Sequence, residues 1–85
     1  MFKIEFTPQG ERDLKKLPKD IQERIIRKLQ FFAQHENPLA FSKPLVNLPP
    51  ATHRFRVGDY RITFYIFSKT IYVTRIGHRR EVYVG

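Results

Sequence analysis

Residues 54–76 contain three short runs in which apolar and polar side chains alternate, separated by the dipeptides Gly58-Asp59 and Ser68-Lys69. Alternation with a period of two marks a strand with two unlike faces. Glycine followed by a polar residue between two such runs marks a tight hairpin of the type II′ kind. The chain is thereby committed to an antiparallel meander with strands at 54–57, 60–67 and 70–76. A two-residue loop at Gly58-Asp59 pairs Val57 with Tyr60, Arg56 with Arg61, Phe55 with Ile62 and Arg54 with Thr63. Because side chains alternate across a sheet, Phe55, Val57, Tyr60, Ile62 and Phe64 share one face, which is predicted to be the core. Arg54, Arg56 and Arg61 share the other. With Ser68-Lys69 as the second loop, Tyr65 meets Tyr72, Thr63 meets Thr74 and Arg61 meets Ile76. On this count Arg75 falls on the core face, where the sheet outruns its covering helices.

The front half supplies that cover. Residues 2–6 alternate strictly and read as a half-buried strand. Thr7-Pro8 then offers an N-cap and a first helical residue, with Glu11 in the first turn. Leu14 and Leu17 lie on one side of this short helix, and Pro18 ends it. A second helix is predicted from Pro18 or Lys19 to Gln34, with Ile21, Ile25, Leu29, Phe32 and Ala33 as its apolar stripe, widened by Ile26. Asn37-Pro38 closes it. Residues 38–52 hold four prolines among Leu39, Phe41, Leu45, Val46 and Leu48. They read as a stiff connector anchored in the core. Residues 77–85 are read as a short edge strand. At 85 residues, 41% of them hydrophobic, the chain has apolar material for one core, so residues 1–85 are taken as a single α+β domain.

Charge narrows the function. Sixteen Lys and Arg stand against eight Asp and Glu, a net charge of +8. After Glu36 the only acids are Asp59 and Glu81, so the excess is concentrated on the meander. A small domain this basic is built to meet a polyanion, with nucleic acid the favoured class. No apolar run reaches the ~20 residues needed to span a bilayer, and the amino terminus is no signal peptide; the expected location is the cytoplasm. Cysteine is absent and the three histidines are far apart, so neither a thiolate site nor any zinc-ligand spacing is present, and no metal or other cofactor is expected.

Two arginines directly opposite each other, Arg56 and Arg61, are unfavourable unless an anion sits between them. Edge protection by charge accounts for Lys69 but poorly for that pair. Guanidinium forks hold phosphates, and Tyr65 and Tyr72 on the same face could stack bases. Cleaving RNA without a metal also requires a base for the 2′-OH, cations at the scissile phosphate and an acid for the leaving oxygen. Histidine has the intrinsic pKa that suits a base near neutrality, which makes His78 a candidate. Tyr83 is the alternative; a phenol titrates near 10 by nature and needs neighbouring cations to bring it down.

The strings His53-Arg54-Phe55-Arg56-Val57-Gly58-Asp59-Tyr60-Arg61-Ile62 and Arg75-Ile76-Gly77-His78-Arg79-Arg80-Glu81-Val82-Tyr83 resemble the RelE branch of the RelE/ParE toxin superfamily. The leading strand and the helical hairpin broken at Leu17-Pro18 are similar too. The resemblance implies a βααβββ fold with two helices on one face of a small, twisted, mainly antiparallel sheet. It implies metal-independent cleavage of mRNA in the ribosomal A site by attack of the 2′-OH on the adjacent phosphate. The implied partners are the ribosome with its mRNA and a neutralising RelB-like antitoxin. Residue by residue, Arg54 and Arg56 match the family's basic strand positions and Arg61 the arginine that holds the scissile phosphate. Arg79 matches the arginine that assists phosphate or leaving-group stabilisation, and Tyr83 the C-terminal tyrosine proposed as base. His78 falls where members carry lysine or histidine. Arginine in place of lysine at 54 and 56 is a poorer proton donor, and the interval from Arg79 to Tyr83 is shorter than in the best-known bacterial member. Two other functions stand beside it: a ParE-type toxin that inhibits DNA gyrase, whose members share the fold but generally lack the complete Arg and Tyr set on the sheet, and a non-catalytic RNA-binding module, for which the aromatic-basic sheet would suffice.

Overall fold

The computed structural model describes residues 1–78. Its elements are β1 (Lys3–Phe6), α1 (Pro8–Lys15), α2 (Lys19–Ala33), a 3-10 turn (Pro38–Phe41), β2 (Lys43–Pro44), β3 (His53–Val57), β4 (Tyr60–Phe67) and β5 (Thr70–His78). The five strands form one mixed sheet in the order β1-β5-β4-β3-β2, with β1 parallel to β5 and the other pairs antiparallel. Both helices lie between β1 and the meander in sequence, so they form the crossover that a parallel pair requires.

The first hairpin has the predicted register, from Val57↔Tyr60 through Arg56↔Arg61 to Arg54↔Thr63. Gly58 sits at φ 60°, the left-handed conformation that the first central residue of such a loop must adopt and that glycine takes without a steric penalty. Ser68 and Lys69 close the second hairpin with φ of 51° and 62°, the backbone of a type I′ turn.

Thr7 caps α1: its Oγ1 accepts from the Gly10 N–H at 3.1 Å and donates to the Val73 carbonyl at 3.1 Å. The helix then runs beside β5 past the end of β1. Thr7 N–H donates to Val73 O (3.0 Å), and the Asp13 carboxylate accepts from Ile76 N–H (3.0 Å). In this way α1 satisfies the edge groups of β5 that β1 is too short to reach. The approach is so close that a side chain at Gly10 would collide with the Val73 carbonyl.

The core lies between α2 and one face of the sheet. Ile25 and Leu29 are fully buried against Phe55, Ile62, Phe64, Ile71 and Val73. An aromatic column runs through it, with ring centroids 5.1 Å apart for Phe41–Phe32, 4.4 Å for Phe32–Phe55 and 4.1 Å for Phe55–Phe64. The 38–52 connector departs from expectation. Only Pro38 and Ala51 are buried there, while Val46 is 80% exposed and Leu39, Phe41 and Leu48 are each exposed by more than a third. The segment is anchored at its ends, by buried Pro38, by the Phe41 ring on Phe32 and by Ala51, while residues 46–50 run over the surface. It adds the unpredicted β2 to the edge of β3 through Lys43↔Arg54 and Pro44↔His53.

The second hairpin departs too. Tyr65↔Tyr72 and Phe64↔Val73 pair as a simple meander requires, but a bulge follows, after which Thr63 pairs with Arg75, Ile62 with Ile76 and Arg61 with Gly77. The expected pairs Thr63 with Thr74 and Arg61 with Ile76 are therefore displaced by one residue. Arg75 stands on the face of Thr63 and Arg61, and Ile76, 3% exposed, goes to the core. The extra residue is Thr74, whose hydroxyl bonds Thr63 Oγ1 (2.7 Å) and the Thr63 carbonyl (3.1 Å), so the bulged position is satisfied internally. Residues 77 and 78 continue β5; the rest of the predicted edge strand lies outside the described residues.

Candidate nucleic-acid interface

The face turned away from α2 carries the charge. Arg54 pairs with Lys43 on one side and Thr63 on the other, and Thr63 pairs in turn with Arg75. The neighbouring row is Arg56, Arg61 and Gly77. With strands ~4.8 Å apart and alternate residues ~7 Å apart along a strand, five cations from four strands stand on one small surface. Arg56 is exposed, and Arg54 and Arg61 are half-buried. Their stems rest on the sheet, so the guanidinium groups are better positioned than on a mobile loop. Farther along the same face Tyr65 and Tyr72 stack with centroids 5.0 Å apart and planes 19° from parallel. The rings have apolar faces on which a base could lie.

Arg75 is held by a carboxylate from α1. Its Nε donates to Asp13 Oδ2 at 2.7 Å. The same oxygen accepts from Ile76 N–H, and Oδ1 accepts from Gln9 Nε2 at 2.9 Å. Asp13 is only 7% exposed. Burial works against its charged form, but hydrogen bonds from Arg75, Ile76 and Gln9, together with the charge of Arg75, outweigh it and hold the carboxyl below its ordinary value. Beside this pair is a cleft of about 390 Å³, floored by Thr63 and Thr74, flanked by Gln9 and Arg75 and walled by Leu48, Pro49 and Pro50.

The structure brings Arg54, Arg56, Arg61, Tyr65 and Tyr72 onto one face, as the alternation predicts. It does not bring His78 to them. His78 pairs with Tyr60, the two rings meeting edge-on at 5.9 Å, so it belongs to the side of the sheet that packs against the helices. Arg79 and Tyr83 lie outside the described residues. Sequence reasoning missed Lys43, Asp13, Gln9 and the place of Arg75. A signal for Arg75 was present: the core residues of β5 are Ile71, Val73 and Ile76, a step of two followed by a step of three, which a regular strand cannot place on one face. Among the described residues no helix is long and apolar enough to cross a membrane.

Comparison with known proteins adds to this geometry. Residues 4–83 match the family described as ParE toxin of type II toxin-antitoxin system, parDE. Toxin RelG of Mycobacterium tuberculosis is 31% identical over 84 residues, covering 96% of this chain and 95% of that protein. The crystal structure of the toxin-antitoxin complex RelBE2 from the same organism superposes with a TM-score of 0.73 at 31% identity, over 92% of this chain and 98% of that one. The RelB-RelE antitoxin-toxin complex from Methanococcus jannaschii superposes with a TM-score of 0.64 at 29% identity, over 92% and 93% of the two chains.

Proposed function

Because the chain belongs to the ParE/RelE family of toxins of type II toxin–antitoxin systems, we propose that it halts translation by cutting mRNA in the ribosomal A site. The observation that carries this reading is the shared face of Arg54, Arg56 and Arg61, beside a stacked tyrosine pair. Cations gathered on one face suit a scissile phosphate, and rings beside them suit its flanking bases, which favours cleavage over gyrase inhibition.

In the reaction, the 2′-oxygen attacks the adjacent phosphorus and the bond to the 5′-oxygen breaks. The products are a 2′,3′-cyclic phosphate and a free 5′-hydroxyl. Arg61 holds the scissile phosphate through its forked N–H donors, and Arg79 offsets the negative charge that builds on the phosphorane-like transition state. Arg54 and Arg56 hold flanking phosphates. The Tyr83 oxygen takes the proton of the 2′-OH, and a solvent water gives the departing 5′-oxygen the proton that makes it a hydroxyl. The register supports Tyr83 over His78 as base, since His78 pairs with Tyr60 on the helix-packed side. No metal or other cofactor enters. A cognate RelB-like antitoxin, acidic where it meets the arginines, neutralises the toxin by covering them.

The family description by the name ParE favours a second reading, inhibition of DNA gyrase. One pair of assays separates the two. In a translation reaction programmed with a defined mRNA, the proposed enzyme cuts the message only when ribosomes are present, and Arg61→Ala and Arg61→Lys both abolish cutting. Intact mRNA together with altered plasmid supercoiling by gyrase would establish the second reading instead. Binding of RNA without either effect would leave a non-catalytic binding module.

A further inference from the structure

The cleft beside Arg75 is not used by the chemistry just described, yet it opens on the same face. Thr63 on its floor is two residues along β4 from Arg61, ~7 Å away, and lies directly between Arg54 and Arg75 in the pairing. A phosphate on Arg61 would thus have the cleft within the reach of its own nucleotide or the next.

The lining combines unlike surfaces in a way that suits a flat heterocycle. One is the Arg75 guanidinium, anchored through Nε to a buried carboxylate while its side chain remains 53% exposed. That leaves a planar cation held in place, with surface open for stacking. The lining also includes the apolar edges of Leu48, Pro49 and Pro50. The floor is formed by two threonines whose hydroxyls bond each other, and the Gln9 amide is pinned by Asp13 and Arg12. The bulge at Thr74 creates this arrangement, because it turns Thr74 and Arg75 toward the cleft together; bulges are a common means of re-aiming a side chain next to a site. At about 390 Å³ the cleft is within the usual size of a small-ligand pocket.

We infer that this cleft is a nucleobase-binding subsite, which stacks one base of single-stranded RNA on Arg75 in apolar contact with Leu48, Pro49 and Pro50. Resting on the proposed RNA cleavage, it places the base of a nucleotide next to the phosphate on Arg61, and so biases which sequences are cut. The Asp13–Arg75 pair by itself could be a mere tether of α1 to β5. Such a tether has no need of Leu48, which is 40% exposed and lies on another segment, and this separates the two roles.

The test uses the full chain without ribosomes, so that it does not depend on ribosomal cutting. The probes are an RNA trinucleotide with 2′-deoxyribose at the centre, which removes the nucleophile, and the same trinucleotide made abasic. In nitrogen–proton correlation spectra the base-bearing probe should shift the amides of Gln9, Ala51, Thr74 and Arg75. The abasic probe should shift only those around Arg54, Arg56 and Arg61. Leu48→Ala should weaken the base-bearing probe about five- to tenfold, as expected for lost apolar contact with the base, and leave the abasic probe unchanged. Equal shifts at the cleft from both probes, equal affinity of Leu48→Ala and wild type, or no binding of either probe at millimolar concentration would each overturn the inference. Failure of ribosome-dependent cutting would overturn the proposed function while leaving this result standing.

Discussion

Replacing Asp13 by asparagine changes one atom in a side chain that gathers three donors. Arg75 Nε, Ile76 N–H and Gln9 Nε2 all point at its carboxylate, at 2.7, 3.0 and 2.9 Å. Asparagine offers one acceptor oxygen and turns an NH₂ toward the remaining donors, so at least one bond becomes donor against donor. Hydrogen bonds to a charged group contribute about 1.5–3 kcal/mol, and breaking a buried ion pair costs about 3–5 kcal/mol. Arg75 is half in solvent and can rehydrate, which removes much of the ionic part. The expected net loss is about 2–3 kcal/mol at neutral pH, roughly 10–20 °C in Tm for a domain of this size. Thermal unfolding followed by circular dichroism reads it directly. The pH dependence gives an independent check. The carboxyl of Asp13 is held below its ordinary value of 3.8, so its stabilisation is fully present above that value. It is lost as pH falls through the lower folded value. The gap between wild type and Asp13→Asn should therefore be constant above pH 5 and shrink steadily below about pH 4. A loss under 0.5 kcal/mol at pH 7, or a gap that does not narrow in acid, would refute the assignment of Asp13 as the tether of α1 to β5.

Other expectations concern the chemistry. In single-turnover cutting on programmed ribosomes, Tyr83→Phe should be slower than wild type by at least about 10², while His78→Ala should retain most of the rate; the reverse pattern would make His78 the base. Three arginine contacts to single-stranded RNA should give a slope near −2 in log K against log salt, at about −0.7 for each phosphate. Arg56→Ala should make that slope shallower by about 0.7, and a slope unchanged by the substitution would remove Arg56 from the phosphate contacts.

Much of this surface was legible because period two leaves little freedom once a loop length is known. Gly58-Asp59 fixed the register of β3 on β4, and the register fixed the sides of Arg54, Arg56 and Arg61. Helix limits followed from Thr7-Pro8 and Pro18 for equally local reasons. The features that were not legible depend on long-range geometry. Asp13 and Arg75 are 62 residues apart, and on α1 the acid has no local mark that separates it from Glu11. β2 has only two residues, one of them proline, so it shows no periodicity at all. The apolar residues of 38–52 suggested anchors because prolines stiffen a chain, but stiffness does not specify direction, and the segment is anchored only at its ends while Val46 stays on the surface.

The bulge in β5 links the core to the charged face, and its energetics show why the chain adopts it. In an unbroken register Arg75 would point toward Ile62 and the helices, while Ile76 would lie beside Arg61 in solvent. Burying an isolated guanidinium costs several kcal/mol even after relaxation, and exposing an isoleucine forfeits about 1.5–3 kcal/mol. One extra residue at Thr74 avoids both penalties. Its own cost is an interrupted ladder, which is partly offset by the bonds from Thr74 Oγ1 to Thr63 Oγ1 and the Thr63 carbonyl. The displaced strand then delivers Ile76 to the core and Arg75 to the face of Arg54 and Arg61, while the freed edge group at Ile76 N–H finds Asp13. The same irregularity thus completes the core, attaches α1 and opens the cleft next to the arginines. A substitution that favours the unbroken register should consequently damage stability and RNA recognition together.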